Sequence, residues 1–78
     1  MANNELTKKI KNIIAPILGE FVANSAIRVN CERIGTSEDA ITQNQIPEFI
    51  KKVKITLLLF LEEEEINKTI QELENIKD

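Results

Sequence analysis

A chain of 78 residues with 13 acidic and 10 basic side chains carries a net charge of −3, which gives no general attraction to nucleic-acid phosphates or anionic lipid. It contains no histidine, the commonest side chain in acid–base catalysis near neutral pH and in zinc or copper sites, so we expect no enzyme, no metal site and no cofactor. Two glycines and two prolines are too few for a turn-rich all-β fold, so we predict one all-α domain over residues 1–78.

The first helix is expected to begin at Asn3 or Asn4, since either side chain can cap the free amide groups of a helix start. Pro16 interrupts this helix because proline lacks an amide hydrogen and crowds the preceding turn. A kinked helix and two helices that meet at Ala15-Pro16 are both compatible with the pattern, and we favour two helices. The apolar stripe consists of Leu6, Ile10, Ile13, Ile14 and Ile17.

The second helix, over residues 17–34, has two apolar bands, and a helix that is apolar on two sides is a buried helix. Gly35 follows directly and is typical of a helix end, because glycine adopts the left-handed backbone conformation without strain. We therefore place this helix at the centre of the bundle. One band contains Leu18, Phe21, Val22, Ala26 and Val29, and the other contains Ala23, Ile27, Cys31 and Ile34.

A short connecting helix is predicted after Gly35. Thr36 and Asp39 fit a capping box, and the helix would carry Ala40 and Ile41. It must finish before Pro47, because the residue ahead of a proline disfavours the helical backbone. Pro47 in turn suits the first position of the next helix.

The helix that Pro47 opens is predicted to be apolar on opposite sides, at about 100° per residue. Ile55, Leu58 and Leu59 point away from its main stripe. Two explanations remain open. The first and last helices cover the two sides, or Ile55, Leu58 and Leu59 form a partner-binding surface. The main stripe consists of Ile46, Phe49, Ile50, Val53, Leu57, Phe60 and Leu61.

The acidic run at residues 62–65 favours a new helix start, because carboxylates are stabilised at the positive end of the helix dipole. We therefore predict a bend or break near residues 61–63. The alternative is one long helix over residues 47–77 that projects and pairs with a second chain. Consecutive helical residues fan out around the axis, so we do not interpret the run as a metal site. The final stripe consists of Ile66, Ile70, Leu73 and Ile76.

Residues 30–46 resemble the helix-turn-helix of bacterial and archaeal repressors. The resemblance lies in the spacing of a small residue, a glycine turn and an aliphatic residue, here Cys31, Gly35 and Ile41. It implies a DNA-binding regulator whose Thr42, Gln43, Asn44 and Gln45 side chains lie near the groove, where glutamine and asparagine can pair with adenine. The sequence departs from the family pattern where Thr36 and Asn44 replace apolar residues and where Pro47 shortens the recognition helix.

The single cysteine indicates a reducing cytoplasm, because Cys31 cannot form an internal disulfide. We interpret Cys31 as a small core residue, since no histidine is present to activate it. Residues 1–5 lack the features of a signal peptide, and the apolar run at residues 57–61 is far shorter than the ~20 residues that span a bilayer. We interpret the lysines as solvated helix faces. They are Lys8, Lys9, Lys11, Lys51, Lys52 and Lys54.

The sequence therefore predicts a bundle of four main helices plus a short connecting helix, with the second helix and the Pro47 helix at its centre. We expect a non-enzymatic protein–protein interaction or oligomerisation module, such as a small regulatory or adaptor subunit. It would dock on a second copy or a larger protein through Ile55, Leu58 and Leu59. We expect no membrane partner. The alternative is the DNA-binding regulator, and a small apolar ligand stays open.

Overall fold

The computed structural model describes residues 4–76, and within them the chain forms four α-helices and no strand. The helices are α1 (Glu5–Leu18), α2 (Glu20–Arg33), α3 (Ile46–Leu57) and α4 (Glu63–Glu74), and a single turn of 3₁₀-helix (Gln43–Gln45) precedes α3. The predicted all-α bundle of four main helices is confirmed. None of the helices in the described part is long and apolar enough to cross a membrane.

The four helices surround one aliphatic core. Helix α1 packs against α2 and α4, and α3 packs against the same two helices. Each helix therefore has an inner face toward the core and an outer face. The core consists of Leu6, Ile10, Ile14, Ala23, Ile27, Cys31, Ile41, Ile46, Phe49, Ile50, Val53, Leu57, Ile66, Leu73 and Ile76.

Helix α2 is not buried on two sides, which corrects the prediction. The band that contains Ala23, Ile27 and Cys31 lies in the core. Of the second band, Ala26 is buried, whereas Phe21 is exposed and Val29 lies partly at the surface. In a bundle where α2 contacts only α1 and α3 substantially, no described element is left to cover that outer face.

Helix α1 continues through Pro16 and ends at Leu18, so the favoured boundary at Ala15-Pro16 is wrong. A proline in the last turn removes only one helical hydrogen bond, whereas Gly19 has φ 90° and ψ 152°, a conformation open to glycine and strained for other residues. Asn4 caps α1, and its Oδ1 accepts hydrogen bonds from the amides of Leu6 at 2.8 Å and Thr7 at 3.2 Å.

Helix α2 ends at Arg33, and Gly35 lies just beyond its C-terminal cap, where the sequence predicts a helix end. The amide of Thr36 donates to the Cys31 carbonyl at 2.9 Å, and the amide of Gly35 donates to the Glu32 carbonyl at 3.1 Å. With Gly35 at φ 81°, this is the Schellman arrangement that satisfies the last carbonyl groups of a helix.

The connection between α2 and α3 contains a turn at residues 38–40, so the predicted helix carrying Ala40 and Ile41 is wrong. Backbone carbonyls that would continue such a helix instead accept hydrogen bonds from side chains at the start of α1. Asn4 Nδ2 donates to the carbonyls of Ile41 at 2.8 Å and Asp39 at 3.2 Å, and the Thr7 hydroxyl donates to the carbonyl of Glu38. These hydrogen bonds hold the segment between α2 and α3 against the start of α1.

Helical structure is interrupted between α3 and α4, so one continuous helix over residues 47–77 is excluded within the described residues. Helix α3 ends at Leu57, a turn covers residues 58–60, and Glu62 is the N-cap of α4. The Glu62 amide donates to Oε1 of Glu65 at 3.3 Å. The predicted break is confirmed, although it begins a turn earlier than residues 61–63. Residues 77 and 78 lie outside the described residues, as does Asn3, the other predicted start of the first helix.

Candidate functional site

The predicted partner-binding residues are uncovered. Leu59 is 79% exposed, Leu58 is 61% exposed and Ile55 is 54% exposed. The alternative in which the first and last helices cover both sides of the Pro47 helix is therefore wrong. Only Ile55 belongs to α3 itself, because α3 ends at Leu57 and the other two residues lie at its C-terminal cap and in the following turn.

Phe60 extends this apolar surface, although the sequence predicted it in the core. It is 54% exposed, because the helical rotation that would carry it inward stops at the end of α3. Thr56 and Phe60 line a shallow groove of about 200 Å³ together with α2. The α2 residues of the groove are Val22, Ser25, Ala26 and Val29.

The outer band of α2 borders the groove. Phe21 precedes the groove residue Val22 and is 84% exposed, the largest exposure among the large hydrophobic side chains described. Ile55 in the last turn of α3 is followed by Leu58 at the C-terminal cap and by Leu59 and Phe60 in the turn after it. We call this surface the α2–α3 patch. It consists of Phe21, Val22, Val29, Ile55, Leu58, Leu59 and Phe60.

A buried asparagine supports the α2–α3 patch from below. Asn30 is fully buried on α2, and its Nδ2 donates to the Ala26 carbonyl at 2.8 Å and to the Thr56 hydroxyl at 3.1 Å. Its Oδ1 is buried and has no hydrogen-bond partner among residues 4–76. Sequence reasoning missed this residue. The sequence could have indicated its burial, because Asn30 follows Ile27 by three residues and Ala26 by four, which places it on the same inner face of α2.

Cys31 lies in the core, as predicted. Burial raises the pKa of its thiol to about 11, and the carboxylates of Glu38 and Glu32 add to this increase. The thiol is therefore protonated at neutral pH, and the thiolate is the reactive form of cysteine. This position has neither the access nor the charge state of a nucleophile.

The segment that resembles a helix-turn-helix does not contain a recognition helix. Nine residues without helical structure, 34–42, follow α2, and the next element is the single turn at Gln43–Gln45. The Gln43 side chain donates to the Ile76 carbonyl at 3.0 Å, and Gln45 Oε1 accepts a hydrogen bond from the Thr42 amide at 2.9 Å. Two of the side chains expected at a DNA groove thus take part in contacts within the chain.

The charged groups are dispersed over helix surfaces. Lys8 lies 3.9 Å from Glu5, and Lys11 lies 3.9 Å from Glu20, both as ion pairs on the surface. The acidic run at residues 62–65 is exposed and forms the start of α4. Within residues 4–76, no group of histidine, cysteine or acidic side chains could hold a metal ion.

Two further grooves lie away from the α2–α3 patch. One of about 350 Å³ lies between α1 and α4, where Pro16 and Ile17 face Lys68 and Glu72. Another of about 360 Å³ lies beside Pro47, with Lys51 and Glu74 at its edge. Each combines apolar and charged groups. The first also contains the buried Thr69, whose hydroxyl donates to the Glu65 carbonyl at 2.8 Å within α4. Comparison of the chain with family models, curated proteins and solved structures gives no match.

Proposed function

We propose that this chain is a non-enzymatic protein-binding module, a small regulatory or adaptor-type subunit that docks through the α2–α3 patch. The observation that carries the proposal is the exposure of five large hydrophobic side chains at the end of α3 and on the outer face of α2. They are Phe21, Ile55, Leu58, Leu59 and Phe60.

The size of the surface supports an association site. At ~200 Å² for a large hydrophobic side chain, the exposed fractions of these five residues amount to roughly 660 Å². The largest apolar patch on a typical monomer is about 300–600 Å² and is often functional, so the exposed apolar area of these five residues is slightly above that range. A standard protein interface buries about 800 Å² on each partner, which the patch and its margins approach.

The composition of the surface supports a protein as the partner. Phenylalanine is enriched at the buried centres of protein interfaces, and charged residues are depleted there. The α2–α3 patch contains two phenylalanines and no charged residue, while Arg28 and Lys54 lie near its edges in sequence. We propose a reducing cytoplasm as the compartment, on the basis of the single free thiol of Cys31.

Photo-crosslinking in the native cell tests the proposal. A photoreactive phenylalanine analogue at position 21 or 59 should give a protein adduct of defined mass. The same analogue at Asn67 or Gln71, exposed positions on α4 outside all three grooves, should give none. The adduct at position 59 should also be lost when Leu58→Glu is added.

The outcomes are separable. Adducts at both patch positions, with the adduct at position 59 lost on Leu58→Glu, support docking through the α2–α3 patch. Equal labelling at positions 59 and 67, or no protein adduct from either patch position, would overturn the proposal. Circular dichroism of each variant shows that the helices are retained, which is expected because the substituted side chains are exposed.

A further inference from the structure

We propose that the partner on the α2–α3 patch is a second copy of this chain. A two-fold axis would pass beside Ser25, and Phe21 of each copy would occupy the α2–α3 groove of the other. This inference rests on the proposed function and identifies its partner. It follows from three properties of the outer face of α2: a projecting ring, a recess of matching size, and their symmetric placement about a small residue.

The projecting ring is Phe21. It lies in the first turn of α2 and is 84% exposed, so nearly the whole ring is in water in the single chain. Burial of a phenylalanine side chain is among the larger hydrophobic gains available to a protein surface. Aromatic residues that insert into a pocket on the partner are also typical centres of interface energy.

The recess is the groove between α2 and the end of α3. Its volume is about 200 Å³, and its lining is almost entirely apolar. An enclosed cavity of roughly 150 Å³ lined by aliphatic and aromatic side chains holds a benzene ring. The groove has a comparable volume but is shallow, so it would cover one side of a phenylalanine ring. The groove is thus a suitable site for one Phe21 side chain.

The placement of ring and recess is self-complementary. Phe21 lies four residues before Ser25, and the groove residue Val29 lies four residues after it. When two copies of α2 lie antiparallel with Ser25 opposite Ser25, Phe21 of each copy therefore meets Val29 of the other. Such an isologous contact closes on itself and gives a dimer. The small side chain of Ser25 allows the two helices to approach closely near the axis.

The exposed area sets the upper limit of such an interface. Two copies would bury about 1,300 Å² if all five exposed side chains of each copy took part, which is close to the lower limit of stable specific interfaces. Each copy has a net charge of −3, so electrostatic repulsion between copies opposes association and is screened by salt. We therefore expect dimerisation to strengthen with ionic strength, opposite to the behaviour of a nucleic-acid complex.

Sedimentation velocity of the full chain tests the dimer. The wild type should be mainly dimeric at ~100 µM, a concentration at which a micromolar complex is associated. Phe21→Glu should weaken dimerisation at least tenfold, the effect typical of losing a central aromatic contact. Asn67→Glu makes the same charge change on the outer face of α4 and should leave the dimer intact. Both variants should retain the helical circular dichroism of the wild type, since both positions are exposed.

A disulfide tests the position of the axis. In a Cys31→Ala background, Ser25→Cys should form a covalent dimer under mild oxidation, because residues beside a two-fold axis bring their Cα atoms within the ~7 Å that a disulfide requires. Asn67→Cys in the same background should stay monomeric on a non-reducing gel. A dimer that resists Phe21→Glu, or one that Ser25→Cys fails to link, would overturn this interface.

The proposed function and this inference fail separately. If the wild type is monomeric while positions 21 and 59 crosslink to a different protein, the chain is a protein-binding module but not a homodimer. If the wild type is monomeric and neither position crosslinks to any protein, both proposals are wrong. A crosslinked adduct of twice the chain mass, together with a dimer sensitive to Phe21→Glu, supports both.

Discussion

The side-chain amide of Asn30 on α2 donates a hydrogen bond of 3.1 Å to the hydroxyl of Thr56 on α3, directly beneath the α2–α3 patch. The bond joins the two helices that supply the patch, and the remaining oxygen of Asn30 is buried without a hydrogen-bond partner among the described residues. A buried, unpaired carbonyl oxygen costs about 1–3 kcal/mol. The pair therefore fixes the relative position of α2 and α3 at a cost in stability.

We expect Thr56→Val to lower the free energy of unfolding by about 1 kcal/mol, because it removes the acceptor of the Asn30–Thr56 hydrogen bond and keeps the side-chain volume. In an Asn30→Leu background the same substitution should cost close to nothing, since the donor is already absent. Urea denaturation of the four proteins of this double-mutant cycle measures the coupling. Equal costs of Thr56→Val in both backgrounds would show that the bond contributes nothing.

Asn4 should be more important to stability than an ordinary helix cap. Its Oδ1 caps α1, and its Nδ2 holds the carbonyls of Ile41 and Asp39 in the α2–α3 connection. Asn4→Ala removes both functions, and we expect a loss of about 2 kcal/mol in the free energy of unfolding.

Asn4→Asp is the matched control, because it keeps the cap oxygen and removes the two donated bonds. Its loss of stability should be intermediate, and hydrogen exchange should accelerate at residues 38–41 in both variants. If Asn4→Asp is as stable as the wild type, the connection is not held by Asn4.

The helix content of the fold could be predicted from the sequence because apolar residues recur at three and four positions in every element. The sequence predicted a helix end at Gly35 because glycine readily adopts the left-handed backbone conformation, and Gly35 has that conformation in the structure. Pro16 misled the prediction, because the cost of a proline depends on how much helix follows it. Here Gly19 ends α1 only three residues later.

The candidate site could be predicted only in part. Ile55, Leu58 and Leu59 are out of phase with the core stripe, and this can be read from the spacing of residues within one helix. The contribution of Phe21 and Phe60 depends on which helices lie beside α2 and where α3 ends, and both are properties of the packed bundle. Helix rotation alone placed Phe60 in the core because it assumed that the helix continued.

The stability of the chain should fall in alkaline solution through Cys31. Its pKa is raised from 9.0 to about 11 in the folded chain, so the folded state disfavours the thiolate relative to the unfolded state. The contribution is fully present below pH ~9 and is lost as the pH rises from about 9 toward 11, with a slope of up to ~1.4 kcal/mol per pH unit.

The measurement is the difference in free energy of unfolding between the wild type and Cys31→Ala, because the groups that the two proteins share cancel in that difference. The advantage of the wild type over Cys31→Ala should shrink between pH 9 and 11. A difference that is constant across this range would contradict the raised pKa.

Gly19 should tolerate no other residue without strain. Its φ of 90° and ψ of 152° lie in a region that is essentially restricted to glycine, although no atom lies within 4 Å of the place that a Cβ would occupy. We expect Gly19→Ala and Gly19→Asn each to lower the free energy of unfolding by about 1–3 kcal/mol.

Gly35 provides the comparison. It lies in the left-handed helix-end conformation that asparagine also adopts, so Gly35→Asn should cost less than Gly35→Ala. Thermal denaturation of the four variants tests both statements. If Gly19→Asn is more stable than Gly19→Ala, the backbone at position 19 relaxes out of the observed conformation.

Leu57 and Leu58 are neighbours in the chain with opposite roles. Leu57 is fully buried, whereas Leu58 is 61% exposed in the α2–α3 patch. We expect Leu57→Ala to lower the free energy of unfolding by about 2–5 kcal/mol, because it leaves a cavity in the core. Leu58→Glu should change it by less than about 0.5 kcal/mol when it is measured on dilute, monomeric protein.

At high protein concentration, Leu58→Glu should lower the melting temperature relative to the wild type, since association stabilises only the folded wild type. The concentration dependence of melting therefore separates a surface that binds a second copy from a surface that maintains the fold. Unfolding of Leu58→Glu in dilute solution would assign this leucine to the core and remove it from the α2–α3 patch.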